Sequence, residues 1–269
     1  MPFLTLPDTE LYFEVFGQGK PLLFLSATAW HGGVWKLHQA RDLSRDHQVI
    51  IFDQRGTGQS VSKGTDFTTE RLAADAIALL DHLDIKRASL CGHSNGGRVA
   101  QMLALDYPSR VDKLILASAG ATHRSKGIPL GMCLELVEKG YARYAREHTI
   151  ETGFTEAFVK QHPEDVEVLM REFIDHLTPL EIFLRYVIGR QTSDTTSRLK
   201  EIKAPTLVMI GDDEDHGATS DSTHLAFAKI LARDIAGAEL LIFEGHGHFY
   251  LHTAPEQFNK AVRVFLARR

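Results

Sequence analysis

A chain of 269 residues, 43% hydrophobic and 24% charged, is long enough to bury one large core and has the balance of a globular protein. A net charge of −5 with scattered lysines and arginines argues against a nucleic-acid surface, and no apolar run approaches the roughly 18 residues that a membrane span needs. Two cysteines, Cys91 and Cys133, supply neither a disulfide framework nor metal-ligand spacing. The first residues, Met1-Pro2-Phe3-Leu4-Thr5-Leu6-Pro7, lack the basic and long apolar stretches of a signal peptide. A soluble cytoplasmic protein, monomer or homodimer, with no membrane or nucleic-acid partner is the expectation.

Strand and helix signals alternate through the first half of the chain. Residues 11–16 end in the turn signal Gly17-Gln18-Gly19, and residues 22–25 and 49–52 are continuous apolar runs, as in strands covered on both faces. Thr68-Thr69-Glu70 opens a helix in which Leu72, Ala76, Leu79, Leu80 and Leu83 recur at helical spacing. Residues 88–91 read as another strand, 98–105 as a helix and 113–117 as a further buried strand. From about Thr122 to Lys200 only helical patterns occur, at 134–139, 166–173 and 180–186, and strands resume at 206–210 and 240–243. The pattern predicts an α/β fold: a mostly parallel sheet with helices on both faces, built from residues 1–121 and 201–269. The all-helical insertion, residues 122–200, is expected to cap the strand ends, where ligands bind in open parallel sheets.

Between the strand at 88–91 and its following helix lies Gly92-His93-Ser94-Asn95-Gly96. A Gly-x-Ser-x-Gly run in that context fits a nucleophile elbow, a sharp turn whose crowded backbone needs the flanking glycines and whose serine projects above the sheet. A serine hydroxyl needs a base to take its proton and a third group to orient that base. Both follow in the chain, each just after a buried strand: Gly211-Asp212-Asp213-Glu214-Asp215, then Glu244-Gly245-His246-Gly247-His248-Phe249.

At this point the chain resembles the α/β-hydrolase superfamily over nearly its whole length apart from the helical insertion. The resemblance rests on Gly92-His93-Ser94-Asn95-Gly96-Gly97, on residues 53–60 (Asp53-Gln54-Arg55-Gly56-Thr57-Gly58-Gln59-Ser60), and on residues 205–211. Gly247-His248-Phe249 followed by Ala254-Pro255-Glu256 completes it. It implies Ser94 as nucleophile and His248, rather than His246, as base. The family's Gly-x-x-Asp pattern places the acid at Glu214, with Asp213 and Asp215 as alternatives. The oxyanion donors would be the backbone N–H groups of Thr28 and Asn95, although Ser26-Ala27 stands where the family usually has His-Gly. The charged loop 53–60 is expected to be structural, His93 to pack behind the serine, and Cys91 to be an inert core thiol. A metal reading of His246 and His248 lacks a third ligand cluster, and no metal or organic cofactor is implied.

Trp30, His31 and Phe249 in the core, with Met132, Phe183 and Tyr186 in the insertion, are candidate substrate contacts. An apolar ceiling would select a small hydrophobic carbonyl substrate. The reading is a serine hydrolase acting on an ester or lactone through Ser94, His248 and Glu214. Carbon–carbon bond hydrolysis, hydroxynitrile cleavage, cofactor-free oxygenation and a ligand-binding receptor remain open on the same fold.

Overall fold

Apolar runs too short to be helices are satisfied by pairing, and among the described residues they pair into one nine-stranded sheet. The computed structural model describes residues 2–122, 130–213 and 223–268. Its strands are β1 (Phe3–Thr5), β2 (Thr9–Phe16), β3 (Lys20–Leu25), β4 (His47–Phe52), β5 (Val61–Ser62), β6 (Ala88–His93), β7 (Val111–Ala117), β8 (Thr206–Gly211) and β9 (Glu239–Phe243). Their order is β1-β2-β4-β3-β6-β7-β8-β9, with β5 on the edge of β2. β1, β2 and β5 run antiparallel to their neighbours, and every pairing from β4 to β9 is parallel. This is the mostly parallel sheet that the sequence predicts. The short edge strands β1 and β5 lie outside that expectation, because two or three residues carry no periodicity.

Strand alternation sorts the core into two layers. Leu23, Leu25, Ile50, Phe52, Leu90, Leu114, Leu116, Val208 and Ile210 face the helices Thr69–His82, Asn95–Asp106 and His224–Asp234. Leu22, Phe24, Val49, Ile51, Cys91, Ile115, Leu207 and Met209 face the other way, toward Pro255–Ala267 and part of the inserted helices. Each such aliphatic side chain stabilises the fold by about 1.5–3 kcal/mol relative to exposure. Thr68 caps the first of those helices as its sequence suggests, its hydroxyl accepting from the Arg71 N–H at 3.3 Å.

Between β7 and β8 the described chain is helical: Leu130–Lys139, Tyr141–Gly153, Glu156–Gln161, Pro163–Asp175 and Leu180–Thr192. Three of these match the helical patterns of the sequence. Tyr141–Gly153 does not announce itself, for a reason that its location supplies below. No described helix is long and apolar enough to cross a membrane.

Candidate active site

Ser94 ends β6 and starts the helix Asn95–Asp106 with φ 54° and ψ −117°, a left-handed conformation that costs a non-glycine residue about 1–3 kcal/mol. The turn is held by the Ser94 N–H donating to the Ala117 carbonyl (2.8 Å) and the Gly97 N–H donating to the Ser94 carbonyl (3.0 Å). A Cβ on Gly92 would collide with the Gly96 backbone, and one on Gly96 with the Leu25 and Ser26 carbonyls. The flanking glycines are therefore required by backbone approach.

Ser94 and His248 face a common cavity with two lobes. The larger, about 300 Å³, is polar and includes Arg98, Ser118, His148, Thr152, Arg190 and His224. The smaller, about 150 Å³, is mostly apolar and includes Trp30, Met132, Tyr141, Phe173, Phe183 and Phe249. Thr28, Ser94, His148, Thr152, Arg190 and His248 border both, so the lobes meet over the serine.

The His248 ring lies 4.8 Å from that of His93 and 5.2 Å from that of His224, centre to centre. Its carbonyl accepts from His93 Nε2 at 3.0 Å and from the Ser118 hydroxyl at 3.3 Å. A carbonyl only accepts, so neutral His93 carries its proton on Nε2, and burial beside His248 holds its pKa well below the usual histidine value. His246 borders neither lobe. Its Nδ1 pairs with the Thr253 hydroxyl at 2.8 Å.

Of the acidic run after β8, Asp212 accepts from the Gly245 N–H at 2.6 Å. The Asp213 N–H donates to the His246 carbonyl at 3.2 Å, which ties that loop to the histidine loop. Glu214 and Asp215 lie outside the described residues.

The loop after β3 shows what stands in place of His-Gly. The Ser26 hydroxyl accepts from Trp35 Nε1 (3.0 Å) and donates to the His31 carbonyl (3.3 Å), closing the loop on itself. Positive φ falls on Ala29 (58°) rather than on Ala27, and the Thr178 hydroxyl donates to the Ala29 carbonyl at 2.7 Å. Trp30 stacks on Phe173 at 4.3 Å. Two inserted-segment residues thus hold a conformation that glycine would adopt unaided. Neither the Thr28 nor the Asn95 N–H has an acceptor among the described residues.

Trp30, Met132, Phe183 and Phe249 line the apolar lobe as the sequence suggests. His31 and Tyr186 do not. His31 is buried with Nδ1 accepting from the Gly33 N–H at 3.1 Å, which leaves its proton on Nε2, 3.7 Å from Glu172. Proton-bearing Nε2 is no metal donor, so the His31–Glu172–His176 group in this tautomer is not a metal site. Tyr186 is fully buried and donates to the Arg55 carbonyl at 3.0 Å, because its hydroxyl needs a partner in the core.

Cys91 is fully buried and its thiol pKa is pushed far up by desolvation. The charged side chains of loop 53–60 are tied into the scaffold: Asp53 accepts from the Gly32 (2.6 Å) and Gln59 (2.8 Å) N–H groups, and Arg55 donates twice to Asp75 (2.6 and 2.8 Å).

His148, Thr152, His224 and Arg190 border the cavity without a sequence signal that singles them out. Tyr144, His148 and Thr152 recur every fourth residue, a stripe that becomes visible only once the helix is known.

Comparison with known proteins agrees with this architecture. A family model described as the alpha/beta hydrolase fold matches residues 20–255. The chain is 28% identical to 3-oxoadipate enol-lactonase 2 of Acinetobacter baylyi, over 98% of this chain and 96% of that one. It is 32% identical to the 2-hydroxy-6-oxononadienedioate/2-hydroxy-6-oxononatrienedioate hydrolase of Burkholderia vietnamiensis, over 97% and 92%. Among solved structures, Est816, described as an N-acyl homoserine lactone degrading enzyme, superposes with a TM-score of 0.83 at 29% identity, covering 98% of this chain and all of that one.

Proposed function

This chain belongs to the alpha/beta hydrolase fold family, and from that premise we propose that it hydrolyses a small ester or lactone through a covalent acyl intermediate on Ser94. The observation that carries the reading is the strained Ser94 turn opening onto a cavity that His248 shares. Ser94 Oγ attacks the carbonyl carbon while His248 takes its proton. The N–H groups of Thr28 and Asn95, which have no acceptor among the described residues, receive the developing oxyanion. The leaving alcohol departs with the proton held by His248, and a water molecule deprotonated by His248 then releases the acid and restores Ser94.

Glu214 remains our assignment for the acid that orients His248, on the family pattern Gly-x-x-Asp. Residues 122–200 act as a cap, supported by the contacts of Phe173, Thr178 and Arg190 with the loop after β3. The lactone chemistry named for two relatives and the apolar lobe support a carbonyl substrate with an apolar portion.

Intact-protein mass spectrometry after a fluorophosphonate probe tests this reading. One equivalent of label, mapped to Ser94 and lost in Ser94→Ala, is the expected result. Well-folded protein that takes no label would overturn it.

A further inference from the structure

Arg190 is a charged residue of the cavity that the steps of ester hydrolysis do not use. It lies near the end of the inserted helix Leu180–Thr192 and borders both lobes. Among the described residues its guanidinium makes one side-chain contact, Nη1 donating to the Thr28 hydroxyl at 3.2 Å, and its buried Nε has no acceptor. No carboxylate among the described residues forms an ion pair with it, and no Asp or Glu among them lines either lobe. Guanidinium stays charged in proteins and offers five donors in a planar fork that matches a carboxylate. Burial lowers its pKa, which is the direction expected of a cation without a counter-ion. Arg98 adds a second cation to the larger lobe, with Nη2 donating to the Thr122 carbonyl at 2.9 Å.

We propose that Arg190 is an anion-binding subsite and that the substrate carries a carboxylate, seated at the junction of the lobes within a few bonds of the scissile carbonyl. This rests on the hydrolytic reading above and narrows its substrate class to acidic half-esters or carboxylated lactones. Thr28 fixes the place: its hydroxyl touches the guanidinium and its N–H belongs to the loop beside Ser94. The apolar lobe, with Trp30, Phe173 and Phe249, takes the uncharged portion.

The test compares methyl butanoate with monomethyl succinate, which replaces the terminal methyl by a carboxylate, followed by acid release in a pH-stat. The wild type is expected to show a kcat/KM at least tenfold higher for the half-ester. Arg190→Gln should lose that preference, mainly through KM, its kcat/KM falling at least tenfold more on the half-ester than on methyl butanoate. Arg190→Lys should keep part of the preference, since it retains the charge without the fork. No preference in the wild type, or equal losses on both esters in Arg190→Gln, would overturn the proposal, the second by assigning Arg190 to the oxyanion or to the fold.

If neither ester turns over, hydrolysis itself is in question and calorimetric titration with succinate decides alone. Binding weakened at least tenfold in folded Arg190→Gln upholds the subsite, and unchanged binding or none in the wild type removes it. Should Arg190→Gln not fold, Arg190→Lys carries the same comparison.

Discussion

Two arginines show how differently this molecule treats charge in its scaffold and in its cavity. Arg55, fully buried in loop 53–60, donates twice to Asp75 and again to Asp8 at 3.1 Å, and these acids raise its pKa against the pull of desolvation. Arg190, at the cavity, has a threonine hydroxyl and no described carboxylate, and its pKa is lowered. A buried cation completed by its own protein is a structural device. One left incomplete holds an interaction in reserve for a ligand. The scaffold should therefore answer substitution with lost stability, and the cavity with lost turnover.

The largest effect expected is on turnover. His248→Ala should lower kcat by about 10⁴-fold or more with little change in unfolding free energy, as for triad residues that act as a unit. His246→Ala, tied to Thr253 away from both lobes, should change kcat by less than about threefold, within the range of surface substitutions. Comparable losses in the two variants, read in the same assay, would erase the distinction between the histidines. On the scaffold side, Asp75→Ala leaves Arg55 half-partnered in the core and should cost about 3–5 kcal/mol in urea unfolding. A cost below 1 kcal/mol would show that Asp8 alone suffices.

Acid should loosen the molecule through histidines rather than through the cavity. Burial holds His31, packed beside His176 and Glu172, at about 4, and His93 well below its usual value. Their folded pKa values lie below the unfolded value of about 6.5, so the unfolded chain binds more protons between the two. Stability is complete above pH 6.5 and should fall toward pH 4, by at most about 1.4 kcal/mol per pH unit for each histidine. Urea midpoints at pH 7.5, 6 and 5 check the slope, and a flat profile would mean that these rings find water on protonation.

The smallest effect belongs to Arg190→Met. Removing an uncompensated buried charge should leave unfolding free energy within about 1 kcal/mol of the wild type, or slightly above it. A loss above 3 kcal/mol would place Arg190 with Arg55 among structural residues.

How far the sequence could be read depends on which residues had to be apolar. Strands such as Leu22–Leu25 and Val49–Phe52 are legible because both their faces are covered, so every residue shows the same preference. The helix Tyr141–Gly153 is illegible because two members of its inward stripe, His148 and Thr152, are polar residues that border the cavity, and only Tyr144 packs in an apolar cluster. Hydrophobic periodicity, the main helical signal, weakens where a helix turns polar side chains toward a cavity. Tyr186 misleads in the opposite sense: an aromatic on an inserted helix reads as a pocket wall, yet it packs on Phe67 and reaches the Arg55 carbonyl.

By itself the sequence determined the mostly parallel sheet, helices between β7 and β8, and the Gly-x-Ser-x-Gly turn, because each depends on contacts within a few residues or on a single burial period. Only the tertiary structure decided that Ser94 and His248 share one cavity and that Thr178 steadies the strained peptide of Ala29. It also decided that Arg190 stands at that cavity without a described carboxylate. Those facts join residues up to 162 positions apart, as in the Arg190–Thr28 contact, and no local propensity encodes which distant side chain will arrive.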